Sequence, residues 1–218
     1  MVMRKIMFND RVEPMTLYVI DGLKTQTRRL IPEISVLKGA RLVLTVRKCD
    51  DRVRVYSDGY LYGSAWAGVF NEEINGMSEH HFYLVFDDNN SIMVKPRYKV
   101  GEVIAVAQSY SDLSLSEDFY RKCIIENMDV DDLFKSPGCR NKLFVRPDLM
   151  VHKIKITGVR VEYLQDISDK DVFAEGFTYK DEFIQTFKRL YGADVWETNP
   201  LVFVYDFERY DNAADIFK

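Results

Sequence analysis

The amino-acid sequence predicts a mixed α+β fold, mainly β, in which short strands form a barrel-like structure with a few flanking helices. The middle of the chain consists of short β-rich segments separated by hairpin turns. Only a few segments carry apolar residues at helical spacing. Strands and helices do not alternate regularly, which argues against a doubly wound parallel sheet. No internal repeat or Ser/Gly-rich linker interrupts the chain, so we predict one domain.

The N-terminal part predicts one helix. Pro14 suits the first helical position and Gly22 suits the residue after a helix end, so a short helix is expected over residues 13–21. Residues 23–30 are rich in threonine and cations and are followed by Pro32. That composition predicts a loop or an irregular extended segment.

The middle of the chain predicts strands, because β-branched and aromatic residues alternate with turn residues. The expected strands are 41–48, a hairpin of 52–56 with 60–62, a hairpin of 81–86 with 91–95, and 100–107.

The rest of the sequence, after residue 107, predicts both helices and strands. Ser168 is an N-cap and Gly176 a stop for one helix, and residues 180–191 carry an apolar face for another. The other expected elements are a helix at 116–127, a loop at 135–142, and strands at 151–163 and 200–210.

Composition excludes several classes of protein. The 218 residues are 47% hydrophobic and 13% aromatic, which excludes a disordered or low-complexity chain because these side chains need an interior. Thirty basic and 34 acidic residues give a net charge of −4. A protein that coats duplex DNA by bulk charge would be far more basic, so any contact with nucleic acid is expected to be local.

The cysteines, histidines and apolar runs point to a cytoplasmic protein without a membrane segment, cofactor or metal. Cys49, Cys123 and Cys139 form no paired framework, as expected in a reducing compartment. The histidines lie at no metal-binding spacing relative to the cysteines. The longest apolar runs have five residues, whereas a membrane helix needs about 20.

One short segment concentrates polar chemistry directly after the first predicted helix. Clustered cations repel one another unless an acidic neighbour or an anionic ligand compensates. Two interpretations remain open: a solvated basic loop paired with acids of the chain, or a binding site for a phosphate or carboxylate. The residues are Lys24, Thr25, Thr27, Arg28 and Arg29.

Two further sets of residues could contact a nucleic acid. Lys95, Arg97 and Lys99 alternate, so in an extended segment they share a face that fits either a nucleic-acid backbone or ordinary solvent. Trp196 and Asn199 precede the last strand, where they could stack on and hydrogen-bond to a base. A tryptophan at a strand entry also fits the core.

Residues 22–29 match the G-x-K-T-x-T-x-R signature of ASCH domains, which are relatives of the PUA fold. Further blocks at 96–102, 153–163, 164–176 and 196–207 resemble the long ASCH-like proteins of phage and prophage genomes. Together these blocks cover about half of the chain.

The resemblance implies a closed PUA-like β-barrel with a cleft beside the Lys-Thr segment. It also implies one domain over residues 1–218, with insertions at about 50–95 and 111–141. Members of this family are associated with RNA binding or cleavage, and a compact branch hydrolyses acetylated cytidine nucleosides with a lysine, a threonine and a glutamate. Those positions correspond to Lys24, Thr27 and Glu175.

Three functional hypotheses follow. The first is a protein that binds RNA or a modified nucleoside or nucleotide; Thr25, Arg28, Arg29, Lys95, Arg97, Trp196 and Asn199 are its expected ligand contacts. The second is an amidohydrolase that removes an acyl group from acetylated cytidine, with Thr27 as nucleophile, Lys24 as base and Glu175 as acid. The third is a non-catalytic protein-interaction module. The sequence leaves the oligomeric state open.

The second hypothesis sets two physical conditions. A lysine that is desolvated and crowded by arginines has a lowered pKa, which favours the neutral amine that a base requires. Lys24 and Thr27 would face opposite sides of a flat strand, so they converge only if the chain turns after Gly22.

Overall fold

The computed structural model describes residues 3–31, 41–49, 52–57, 60–66, 81–87 and 90–210. The described strands form two five-stranded sheets, with helices packed beside them. This arrangement confirms the mixed α+β class. The pairing among these residues gives two separate ladders, so the closed barrel stays a prediction.

The strands are β1 (Lys5–Ile6), β2 (Gln26–Leu30), β3 (Leu42–Cys49), β4 (Arg52–Ser57), β5 (Tyr60–Trp66), β6 (Phe82–Phe86), β7 (Ser91–Val94), β8 (Val103–Val106), β9 (Lys153–Tyr163) and β10 (Leu201–Arg209). The α-helices are α1 (Met15–Ile20), α2 (Glu117–Ile125), α3 (Val130–Lys135), α4 (Asp169–Ala174), α5 (Lys180–Tyr191) and α6 (Val195–Thr198). Short 3₁₀ helices connect several of these elements.

The first sheet has the strand order β1-β8-β9-β10-β2. Its pairs are antiparallel except for the parallel pair of β1 with β8. The second sheet has the order β5-β4-β3-β6-β7 and is antiparallel throughout. Phe82 of β6 packs against Phe203 of β10, with 5.9 Å between ring centroids, so the two sheets share one core.

The segment predicted as a loop or irregular extended segment contains a regular strand, β2. It pairs with β10 in a register that places Thr27 opposite Tyr205 and Arg28 opposite Val204. Gln26, Thr27 and Arg28 are buried, although threonine and cations are typical of exposed segments. The prediction was wrong because a neighbouring strand supplies the hydrogen-bond ladder and distant acids neutralise the buried cation.

The predicted helices are present, and most of their end signals act as expected. The Ser168 hydroxyl accepts a hydrogen bond from the Asp171 N–H (3.2 Å) at the start of α4. Gly22 and Gly176, with φ of +77° and +88°, follow α1 and α4. Helix α5 spans the predicted range and buries Phe183 and Phe187 on its apolar face.

The chain between β8 and β9 is mostly helical and has a small hydrophobic core of its own. This core includes Tyr110, Phe119, Leu133 and Leu149, and it reaches the first sheet through Ala105. The segment predicted as an insertion at 111–141 therefore folds as a compact helical unit against β8. We refer to residues 111–150 as the helical insertion.

Gly176 lies where α4 ends against the segment that carries Lys24. A Cβ atom there would lie 3.2 Å from Tyr18 Cδ2 and 3.3 Å from Lys24 Cβ. Gly101 has a similar φ of +83°, but nothing lies within 4 Å of its Cβ position. An alanine at position 101 would therefore introduce backbone strain alone, whereas an alanine at position 176 would also crowd Tyr18 and Lys24.

We expect Gly176→Ala to lower the free energy of unfolding more than Gly101→Ala does. Each substitution incurs about 1–2 kcal/mol for a left-handed alanine, and crowding adds to the loss at position 176. Urea unfolding of both variants measures the difference. Equal losses would contradict a close packing of Gly176 against Lys24.

Candidate functional site

Lys24 and Glu175 form a buried ion pair between two distant parts of the chain. The Lys24 amine donates hydrogen bonds to the backbone carbonyl of Glu175 (2.6 Å) and to its carboxylate. Their side chains are only 3% and 5% exposed. Buried charges of this kind are stable only when they are paired, so each residue fixes the position of the other.

The backbone around Gly22 brings Lys24 to the end of α4. The N–H groups of Leu23 and Lys24 both donate to the carbonyl of Tyr18, at 2.8 and 2.9 Å. The N–H of Thr25 then donates to the carbonyl of Ala174 at 2.8 Å. The chain thus turns after Gly22, as the convergence of Lys24 with Thr27 requires.

Arg28 lies at the centre of a buried network of ion pairs. One terminal nitrogen contacts Gln26 Oε1 and Glu175 Oε1 (3.4 Å), and the other contacts Glu162 and Asp171 Oδ2 (3.4 Å). The side chain is fully buried. The sequence predicted Arg28 as a ligand contact, whereas in the structure both of its terminal nitrogens bind protein groups. The Nε atom has no hydrogen-bond partner among the described residues.

Arg160 extends this network on the same side of the sheet. It contacts Glu162 at 3.0 Å, Asp171 at 3.2 Å and Asp206 at 2.8 Å. Gln26 donates to both of these aspartates, at 2.9 and 2.7 Å. The sequence analysis did not find these residues, although Arg160 and Glu162 stand at alternate positions of a strand, a spacing that places both on one face.

The environment of Lys24 changes its acidity. Burial lowers the pKa of the Lys24 amine, Glu175 opposes that shift, and Arg29 and Arg28 lower the pKa further. The direction agrees with the condition set from the sequence. The amine therefore loses its proton more readily than an exposed lysine does.

A small pocket joins the catalytic candidates. Its volume is about 60 Å³, and its polar lining includes Lys24, Thr27, Arg28, Arg29 and Glu175. The remaining wall is largely aromatic, from Phe8, Phe177, Phe183, Phe187 and Tyr191. Thr27 is 5% exposed, and its hydroxyl has no hydrogen-bond partner among the described residues. A hydroxyl, an amine and a carboxylate in one apolar-walled pocket are the groups that acyl transfer requires.

A second and larger cavity adjoins this pocket. Its volume is about 630 Å³, and we refer to it as the cationic cleft because Lys5, Arg29, Lys95 and Arg97 line it. Arg29 and Tyr191 line both cavities. Three predicted contacts, Arg29, Lys95 and Arg97, thus meet in one place. The apolar lining consists of Met7, Leu30, Tyr98, Leu143, Tyr191, Phe203 and Tyr205.

Three predicted ligand contacts lie elsewhere. Thr25 is exposed, and its carbonyl accepts the Phe207 N–H at 2.8 Å. Trp196 packs against the main core, with the Lys180 amine 5.7 Å from its ring centroid. Asn199 follows α6 at φ +44°, where its side chain accepts the Gln165 N–H at 2.8 Å. None of the three lines the small pocket or the cationic cleft.

Within the described part of the chain, no group of His, Cys, Asp and Glu side chains is arranged to hold a metal ion. No helix in those same residues has the length and apolar character that crossing a bilayer demands.

We expect Arg28→Met to lower the free energy of unfolding by about 3–5 kcal/mol, because it leaves the buried Glu175 and the partly buried Glu162 and Asp171 without the cation that they share. Arg121→Met is the matched control. Arg121 makes two exposed ion pairs, each at 3.4 Å, and its loss should change stability by less than about 1 kcal/mol. Chemical unfolding of both variants tests this; similar losses would mean that the network does not stabilise the fold.

Comparisons of the chain with protein-family models, with curated proteins and with solved structures found no match. The similarity to ASCH domains therefore rests on the sequence motifs, and the site rests on its own geometry.

Proposed function

We propose that this protein binds a modified nucleoside or nucleotide beside Lys24 and Thr27 and hydrolyses an acyl amide on it. The substrate class is an acetylated cytidine, and the fold is the closed PUA-like barrel of the ASCH family. The observation that carries the proposal is the small pocket. It combines the buried Lys24–Glu175 pair with a threonine hydroxyl that has no hydrogen-bond partner among the described residues.

The three side chains divide the reaction as follows. The Thr27 oxygen attacks the carbonyl carbon of the acyl group while the neutral Lys24 amine takes the hydroxyl proton. The bond from carbon to the exocyclic nitrogen then breaks, and the proton that Lys24 took from the hydroxyl passes through the Glu175 carboxylate, its hydrogen-bond partner, to the leaving amine. Water hydrolyses the resulting ester, which releases the carboxylic acid and restores the threonine hydroxyl.

Arg28 supplies a positive charge beside the small pocket. It is one of the residues that line the pocket, and its side chain is fully buried. This charge would stabilise the oxyanion that forms when the Thr27 oxygen attacks the carbonyl carbon.

The size of the small pocket limits what enters it. A cavity that holds benzene has a volume of about 150 Å³, whereas this pocket has about 60 Å³. An acetyl group fits that volume and a nucleobase does not. The base and sugar are therefore proposed to lie in the cationic cleft, which Arg29 and Tyr191 connect to the pocket.

Binding of RNA without chemistry is the second candidate function. The cationic cleft favours it, because Lys95 and Arg97 are exposed and line the same cavity. The interaction-module hypothesis expects scattered side chains, and the contact between Lys24 and Glu175 argues against it.

We expect Thr27→Val to lower kcat/KM for acetylated cytidine by about 10²–10⁴-fold, because valine has the same shape but no nucleophilic oxygen. Thr157→Val is the matched control: it removes an exposed hydroxyl from β9 and should leave the rate within twofold. Release of acetate measures both. Stability should be retained in Thr27→Val because the lost hydroxyl has no partner among the described residues. Absence of turnover in the wild type would contradict the proposal.

The pH dependence of kcat/KM should report the Lys24 amine. Activity is expected to rise with pH as the amine loses its proton, with a midpoint below the ordinary lysine pKa of about 10.4. Burial lowers the pKa of Lys24 in this way, against the effect of Glu175. Lys24→Arg, which stays protonated, should lose activity at every pH. An active Lys24→Arg variant would exclude Lys24 as the base.

A further inference from the structure

We infer that the cationic cleft is a phosphate-binding subsite, so that the ligand carries a phosphate ester next to the group that enters the small pocket. The phosphate could belong to a mononucleotide or to a single strand of RNA, and the chemistry of recognition is the same. This inference rests on the proposed function for the placement of the acyl group. The binding of phosphate itself can be tested without turnover.

The charge of the lining is the first argument. Four cations and no carboxylate line the cleft among the described residues, in a chain whose net charge is −4. Some other cations of this chain pair with acids, as Arg146 does with Asp148 and Arg160 with Asp206. Lys95 and Arg97 have no such pair among the described residues. An anionic ligand would compensate the repulsion between these charges.

Arg29 is held in place by a side-chain hydrogen bond, and both arginines of the cleft retain free donors. Arg29 donates one hydrogen bond, to the Met7 carbonyl at 2.8 Å, and lies 5.9 Å from the centroid of the Phe8 ring. Arg97 lies 5.6 Å from the Tyr98 ring centroid, and its backbone N–H donates to the Tyr205 hydroxyl at 2.9 Å. A positioned guanidinium with unused N–H groups can bind a phosphate with two parallel hydrogen bonds.

Lys5 has a different role from the other three cations. Its amine donates to the carbonyls of Lys142 (3.3 Å), Leu143 (2.6 Å) and Val145 (2.7 Å), which occupies all three of its donors. Lys5 is therefore a positioning residue that holds the helical insertion against the cleft. Lys142 fixes the same stretch from the other side, through Asp10 and the Thr16 hydroxyl (2.7 Å). Leu143 consequently forms a wall of the cleft.

The arrangement of the two cavities determines where each part of the proposed ligand would lie. Arg29 and Tyr191 stand at their junction, and Lys95 and Arg97 line only the larger one. Tyr191 is 37% exposed, so its ring can stack on a base. A volume of about 630 Å³ suits a nucleotide. The acyl group, the base and the phosphate would thus follow one another from the pocket into the cleft.

The test measures binding in the Thr27→Val background, which prevents turnover. The ligands are acetylated cytidine, its 5′-monophosphate and a short single-stranded RNA, with affinities from calorimetry. We expect the monophosphate to bind at least tenfold more tightly than the nucleoside. Lys95→Gln combined with Arg97→Gln should abolish that preference and change nucleoside affinity less than twofold.

Lys99→Gln is the matched control. Lys99 continues the alternation of Lys95 and Arg97 but does not line the cleft, so its loss should leave the preference intact. Tighter binding of the RNA than of the monophosphate, with a salt dependence that the double variant weakens, would assign the phosphate to a strand. Tighter binding of the monophosphate than of the RNA would assign the phosphate to a mononucleotide.

Equal affinity for nucleoside and monophosphate, no binding of any ligand, or an equal effect of Lys99→Gln would overturn the phosphate subsite. These outcomes are distinct from a failure of the proposed function. A wild-type protein that prefers the monophosphate but releases no acetate would retain the subsite and refute the amidohydrolase.

Discussion

The architecture around the candidate site depends on the burial of Arg28. A guanidinium inside a protein needs acidic partners, and this one draws on Glu162 from β9 together with Asp171 and Glu175 from α4 and its end. Glu175 also receives the Lys24 amine. Strand β2, the long strand β9 and helix α4 are therefore tied together by charge as well as by the hydrophobic core. The positions of Lys24 and Glu175 follow from that requirement.

The same network leaves two polar groups of the small pocket without partners among the described residues: the Thr27 hydroxyl and the Arg28 Nε–H. In the proposed reaction Thr27 is the nucleophile, Lys24 is the base, and the charge of Arg28 stabilises the oxyanion. The proposed reaction depends on the Thr27 hydroxyl, which the ion-pair network leaves without a partner among the described residues.

The cationic cleft depends on parts of the chain that are far apart in sequence. Strand β1, the segment after β7, helix α5 and the helical insertion all contribute to its lining. Lys5 and Lys142 attach the insertion through backbone carbonyls and short polar contacts. The insertion therefore adds a wall to a cavity that residues of the first sheet and α5 also line.

Local signals in the sequence were enough to predict α1, α4 and α5, the hairpins and the long strand β9, because caps, glycine stops and apolar spacing act over a few residues. The resemblance to ASCH domains singled out Lys24, Thr27 and Glu175. Only the tertiary structure decided that residues 26–30 form a strand, that Arg28 is a buried structural cation, and that residues 95–98 meet Arg29 in a cleft. The physical reason is that a backbone ladder, an ion pair and a cavity each need partners from distant parts of the chain, and local composition does not identify those partners.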